Sequence, residues 1–121
     1  MKRKIDISQA KIVDGTLYLY ASDSLSHLKP AGQILVDSEQ TSFIYLMETP
    51  EDYTYVVLPE SLWPILKEGL EGQSSVWIKN DTEQIELTDF YEELAYVIQN
   101  IQGNSNYGEN MVQKTEEYFG Q

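Results

Sequence analysis

The segment Gly103-Asn104-Ser105-Asn106-Tyr107-Gly108-Glu109 holds the densest group of polar side chains that could converge on a ligand. Asn104 and Asn106 each offer amide donors and an acceptor, Tyr107 a hydroxyl and Glu109 a carboxylate. Its two glycines have the four-residue gap of a phosphate-binding loop, G-x-x-x-x-G-K-[ST]. The next residues are Glu109 and Asn110, and the segment follows a helix pattern instead of a strand. A carboxylate where the lysine belongs repels phosphate, so that reading is rejected. Two readings stay open. In one, Gly103 ends a helix, Asn106 starts the next, and the amides serve the backbone. In the other, Asn104, Asn106, Tyr107 and Glu109 contact a polar ligand or a partner.

The remaining candidates are weaker. Glu92-Glu93, Glu116-Glu117 and Glu48 near Glu51-Asp52 have the chemistry of an acid–base pair or of a Mg²⁺ or Ca²⁺ chelate. Twenty acids make such pairs by chance, however, and those on helices read as a solvated face. No Asp-x-[Asp/Asn]-x-[Asp/Asn]-Gly loop occurs. His27 is the single histidine, in a Ser-rich stretch with Asp23, Ser24 and Ser26 close by. Without a G-x-S-x-G turn to present a nucleophile, it reads as a solvated loop residue. The chain has no cysteine, which removes disulfides, thiol nucleophiles and Cys-ligated metals. The expectation is no catalytic residue, no metal and no cofactor. Nine Tyr and two Trp are many for this length. Tyr18 and Tyr20 on one strand face, with Trp77 elsewhere, could form an exposed aromatic patch of the kind that enriches protein interfaces.

Charge narrows the partners. Acids number 20 against 8 Lys and Arg, a net charge of −12, and Lys2, Arg3 and Lys4 hold three of those bases. Direct nucleic-acid binding is not expected, because phosphate contacts need cations. An anionic lipid surface would repel the chain, and no window reaches the ~18 apolar residues of a span. The basic head leads into Ile5-Asp6-Ile7-Ser8-Gln9, which is not a continuous apolar run, so a cytoplasmic location is expected.

The elements that would position these groups follow from pattern. At 121 residues, a single domain over 1–121 is expected. Asp14-Gly15 predicts a two-residue type I′ hairpin pairing Ile12 with Leu17 and Ala10 with Leu19. Ile5 and Ile7 are out of phase with Ala10 and Ile12, which predicts a break near Ser8-Gln9. Residues 22–32 read as a loop. Gln33–Val36, Phe43–Met47 and Tyr53–Leu58 read as antiparallel strands covered on both faces. A helix over 61–71 is expected, with Ser61 as its cap, Pro64 in its first turn and Gly69 and Gly72 closing it. A second hairpin at Asn80-Asp81 pairs Lys79 with Thr82. That puts Val76, Ile78, Ile85 and Leu87 on one face and Trp77 on the other. A helix over 89–102 is capped by Thr88 or Asp89, and Asp89 with Glu92 has the spacing of a capping box. A last helix runs from about Gly108.

Leu35-Val36-Asp37-Ser38, Ser42-Phe43 with Tyr45, and Trp63 resemble the YjbL-like family, an uncharacterised family of low-GC Gram-positive bacteria. The strongest likeness is Asn100 to Glu109, which looks like that family's Asn-Ile-x-Gly-Asn-x-Asn-Tyr-Gly-Glu segment. The similarity runs from about Gly32 to Phe119. It implies a small acidic cytoplasmic protein and no assigned activity, so it carries no catalytic residues over.

The fold expected is α+β: a mostly antiparallel sheet of about seven strands, one inserted helix and a C-terminal helical pair, with the 61–71 and 89–102 helices on one sheet face. The leading functional expectation is a non-catalytic module acting through a protein partner. The second is a small-molecule site, with or without catalysis, at the Gly103–Glu109 loop. The third is a nucleic-acid mimic that inhibits a DNA- or RNA-binding protein. A homodimer is admitted by base rate alone.

Overall fold

A computed structural model describes residues 3–120. Its strands are β1 (Arg3–Asp6), β2 (Gln9–Val13), β3 (Thr16–Tyr20), β4 (Lys29–Asp37), β5 (Ser42–Glu48), β6 (Tyr53–Pro59), β7 (Ser75–Lys79) and β8 (Gln84–Glu86). The helices are α1 (Trp63–Gly72), α2 (Phe90–Ile101) and α3 (Glu109–Phe119), with 3₁₀ turns at Glu60–Leu62 and Ser105–Tyr107.

The Asp14-Gly15 turn folds as the pattern requires. Both residues have positive φ, 51° and 79°, and Ile12 faces Leu17 and Ala10 faces Leu19. The chain breaks at Ser8, as the phase change of Ile5 and Ile7 predicts, but the consequence is larger than a bulge. β1 belongs to one sheet and β2 to another.

The fold is α+β, but the single mostly antiparallel sheet of seven strands is not what forms. There are two mixed sheets of four strands each among the described residues, ordered β1-β6-β5-β4 and β2-β3-β7-β8. Each contains one parallel pair, β1 with β6 and β3 with β7. Short polar connections identify antiparallel neighbours, whereas these parallel partners lie far apart in sequence and leave no local mark.

Smaller differences have local causes. Residues 29–32, expected in a loop, begin β4, which regains register through an irregularity between Pro30 and Ile34. Ser61 lies in the 3₁₀ turn and is not a cap. Pro64 does occupy the first turn of α1, and the left-handed residue that ends this helix is Gln73. The β7–β8 pair matches Ile78 with Ile85, not Lys79 with Thr82. The shift keeps every side chain on its expected face. Its cause is Asn80, whose Oδ1 accepts from the N–H groups of Thr82 (3.0 Å) and Glu83 (2.7 Å) and so widens the turn. Asp89 is left-handed and makes no side-chain cap. The Tyr45 hydroxyl instead donates to the Thr88 carbonyl at 2.7 Å, just ahead of α2.

One core joins both sheets and the helices. Phe43, Tyr45 and Met47 point inward from β5, and Leu17, Leu19, Val76 and Ile78 from the second sheet. Trp63 of α1 stacks on Phe43 with ring centroids 4.7 Å apart, and Phe90 of α2 lies 5.7 Å from Tyr45. Phe43 and Tyr45 are two apart on one strand, so α1 and α2 share that sheet face, as expected from their order.

Helix α1 also meets α2 at Gly69, which lies inside α1 and does not close it. A methyl group there would overlap the Tyr91 hydroxyl and sit 3.4 Å from Leu17. That hydroxyl is buried without a full hydrogen bond; Ser74 is near enough to temper the burial, not to satisfy it. Burial pushes the Tyr91 phenol up to about 12. We expect Gly69→Ala to cost about 1–3 kcal/mol through overpacking, seen as a Tm several degrees lower. Tyr91→Phe in the same chain should recover most of the loss, since it removes the overlapping oxygen and an unpaired polar atom. A double variant as unstable as Gly69→Ala would mean the contact is elsewhere.

Candidate functional site

The 103–109 segment is built as a corner between α2 and α3. Its backbone turns are closed by Asn104 N–H to Ile101 O (2.9 Å), Tyr107 N–H to Asn104 O (3.2 Å) and Gly108 N–H to Ser105 O (3.0 Å). The Asn104 side chain accepts from the Asn106 N–H at 3.1 Å and donates to the Asn100 carbonyl at 3.3 Å. The Gly103 N–H donates to Glu116 Oε2 at 3.3 Å. Asn106 and Glu109 are exposed, and Tyr107 packs half-buried against the core. The Asn104 side chain does serve the backbone, but Asn106 does not start the next helix: Asn104 caps the Ser105–Tyr107 turn that contains Asn106, and α3 begins after Gly108. A shallow concavity of about 560 Å³ lies beside the corner, lined by Gly103, Ser105, Glu109, Val112, Gln113 and Glu116. Glu109 is the one candidate residue of the four that borders it.

Trp77 is placed elsewhere, on the outer face of the second sheet. The inner face is spent on Leu17, Leu19, Val76 and Ile78. Strand alternation then turns Tyr18, Tyr20, Trp77 and Lys79 outward. Tyr18 and Trp77 are direct neighbours on β3 and β7, and Lys11 stands beside Tyr18 on β2. Tyr18 and Tyr20 have ring centroids 6.5 Å apart. The Lys79 ammonium lies 5.1 Å from the Tyr18 ring centre, a cation–π distance. All three aromatic residues are partly exposed. The result is a ladder of rings bordered by two lysines and the amides of Gln9 and Gln84, with Glu86 as its acid.

A third region escaped sequence reading. Glu83 reaches across from the β7–β8 turn to the 22–28 loop. Its Oε1 accepts from the Leu25 N–H and from the Asn80 side-chain amide, both at 2.9 Å, and its Oε2 accepts from the Ser26 hydroxyl at 3.0 Å. Asn80 also donates to the Asp23 carbonyl at 2.9 Å, and Arg3 donates to the Ser24 carbonyl. This latch borders an open groove of about 950 Å³ lined by Gln9, Tyr20, Ser22, Asp23, Asp81 and Thr82, among others. Sequence spacing gave only a weak signal for it, the Asn-x-x-Glu pair around an Asx turn.

The other candidates are dispersed. His27 is exposed with φ of 66°, and no hydrogen bond joins it to Asp23, Ser24 or Ser26 among the described residues. No group of three His, Asp or Glu side chains able to hold a metal forms there either. No helix of the described residues is long and apolar enough to cross a membrane.

These features define a small α+β protein of two mixed sheets whose outer faces have no helical cover among the described residues. The chain belongs to UPF0738, a family of unknown function, which it matches over residues 5–119. It is 38% identical to a UPF0738 protein of Geobacillus thermodenitrificans (strain NG80-2) over 122 residues, covering 98% of each chain. It is 35% identical to a UPF0738 protein of Staphylococcus aureus (strain bovine RF122 / ET3-1) over 116 residues, 96% of each. No solved structure matches. The family and its low-GC Gram-positive hosts agree with the resemblance carried by Asn100–Glu109. The match reaches further toward the start than Gly32, and the YjbL-like name is not the one it carries.

The latch makes a pH prediction. The Asn80 amide and the Leu25 N–H, with the Ser26 hydroxyl, hold the Glu83 carboxyl below the ordinary glutamate value. A depressed native pKa contributes stability that is present above the unfolded value, ~4.3, and is lost as pH falls through the native value. The Leu25 and Ser26 amide signals should therefore shift together only below that range, and Glu83→Gln should abolish the shared transition. NMR titration of those amides checks this; a midpoint at or above the ordinary glutamate value would refute the latch.

Proposed function

We propose that the chain is a non-catalytic binding module that docks a protein partner on the outer aromatic face of the second sheet. The carrying observation is the Tyr18–Trp77 neighbour pair with Tyr20, partly exposed and bordered by Lys11 and Lys79. Aromatic rings held rigidly on a sheet give large contact area at little entropic cost, which is why such residues become interface anchors. Two lysines beside these rings, on a chain of net charge −12, favour a partner surface that is apolar with an acidic border. A cytoplasmic setting belongs to this reading.

A second reading keeps the Gly103–Glu109 corner as a polar ligand or partner contact, supported by the concavity that Glu109 and Ser105 border. Asn106 and Tyr107 would join through their free faces. Melting shifts induced by a ligand that vanish in an Asn106→Ala, Tyr107→Ala variant would favour this corner. Nucleic-acid mimicry gains no support, because acids lie on all three helices and on both sheets instead of one face.

The partner reading is tested by comparing wild type with a Tyr18→Ala, Trp77→Ala variant as immobilised baits in lysate from a Gram-positive host. The expected result is a protein retained by wild type at moderate salt and lost by the variant. Truncating two anchors should weaken binding at least tenfold, given ~2 kcal/mol or more for a hot-spot aromatic. Equal recovery on both baits, with both folded by circular dichroism, would sink it.

A further inference from the structure

The outer face of the first sheet is a separate surface, and its pattern is self-complementary. Phe43, Tyr45 and Met47 point into the core, so Ile44, Leu46 and Glu48 of β5 point the other way. Ile44 and Leu46 are 7% and 6% exposed yet neither joins the core. Register sets Val57 and Leu35 on either side of Ile44, and Tyr55 beside Leu46. Trp63, Phe90 and Phe119 all pack on the opposite face, against Phe43 or Tyr45. The outer face thus carries five apolar residues in two adjoining rows with no helix of the described residues over them.

Charges stand at the ends of this surface in a definite order. On β1, Ile5 is buried, which turns Lys4 and Asp6 outward; Lys4 is level with Tyr55 and Asp6 with Val57. On β4, Asp37 is level with Ser42 and Lys29 with Glu48. A two-fold axis crossing the strands at the level of Ile5, Val56 and Tyr45 exchanges these rows. It lays Ile44 on the partner's Leu46 and Val57 on the partner's Tyr55. It also sets Lys4 against the partner's Asp6, and Lys29 against the partner's Asp37. Symmetry repeats each pair, so these four charges meet their opposites, while Glu48 on the same face stands level with Lys29 of its own sheet.

We propose that this face is a two-fold interface between two copies of the chain, docked with the axis across the strands. A two-fold along the strands would set Asp6 over the partner's Leu35, burying a carboxylate on an apolar side chain at a cost. A basic partner of another kind would suit the net charge of −12 but would confront Lys4 and Lys29 with like charges. Self-association satisfies all four. Two sheets packed this way lie ~10 Å apart. Four strands at ~4.8 Å by seven residues at ~3.4 Å give a face of about 450 Å² per copy before side-chain relief. That is the small end of specific interfaces, so the dimer is concentration-dependent, not obligate. It uses neither Trp77 nor the 103–109 corner, so it stands or falls apart from the partner reading.

Sedimentation velocity across concentrations up to ~1 mM, the weak limit of specific association, tests it on the full chain. Wild type should dimerise within that range. Lys4→Glu and Asp6→Lys should each weaken the dimer by at least about tenfold, since each sets like charges face to face. The double variant Lys4→Glu, Asp6→Lys should restore it, because both inter-chain pairs re-form with inverted sign. Both positions are exposed, and unchanged melting temperatures would show that the fold is intact. A wild type that stays monomeric at the highest concentration overturns the proposal. So does a dimer indifferent to the single changes, or one that the double change fails to restore.

Discussion

Stacking of Trp63 on Phe43, two residues from the Phe90–Tyr45 contact, governs the arrangement of the whole molecule. Both contacts fall on the same side of β5 and so commit α1 and α2 to that side. Phe119 joins them 5.6 Å from Trp63, which brings α3 to the same place. The Trp63 indole N–H reaches the Leu58 carbonyl at 3.4 Å and ties the column to β6. With all three α-helices of the described residues gathered there, none of them covers the reverse of the sheet. The open outer face and the filled core thus have one cause. Truncating a ring in such a column costs about 3–5 kcal/mol, a large share of the stability of a domain this size.

Much of this was legible wherever the determinants were local. The Asp14-Gly15 turn fixed its own register, and the period of Phe90, Leu94, Val97, Ile98 and Ile101 fixed the buried stripe of α2. Alternation placed Trp77 outward even though the expected β7–β8 register was two residues off, since a shift of two leaves every side chain on its face. The pairing of β3 with β7 was not legible. No turn links those strands, and their residues match any apolar strand equally well. The division into two sheets depends on that pairing, so it was hidden too. Gly69 read as a helix terminator because its tight contact, the Tyr91 ring, lies more than twenty residues away. The candidate corner was legible as a segment but not as a geometry, because the partners of Gly103 and Asn104 come from the flanking helices.

Several polar side chains are occupied in holding elements together. Glu83 and Asn80 fasten the 22–28 loop, Asn104 shapes the corner, and Asn110 bonds Thr41 at 3.1 Å to bring α3 against the β4–β5 turn. Glu60 receives the Tyr118 hydroxyl at 3.0 Å and lies 3.5 Å from the Lys114 ammonium. Glu83, which accepts from three donors, is the carboxylate these bonds stabilise as an anion.

Binding by a small domain is limited by how much rigid apolar surface it can expose without aggregating. Here each sheet spends its inner face on the shared core and keeps an outer face with apolar or aromatic character. Charges border both: Lys11, Lys79 and Glu86 on one, Lys4, Asp6, Asp37 and Lys29 on the other. Such borders and a net charge of −12 oppose indiscriminate association, because a wrong docking leaves charges unpaired or alike. A weak two-fold contact through the first sheet would leave two aromatic faces free and joined in one particle. Each face alone could then bind modestly, while a bivalent partner would experience the second contact as an intramolecular step. Affinity would rise with the concentration of the chain itself, without any further residue being committed to the interface.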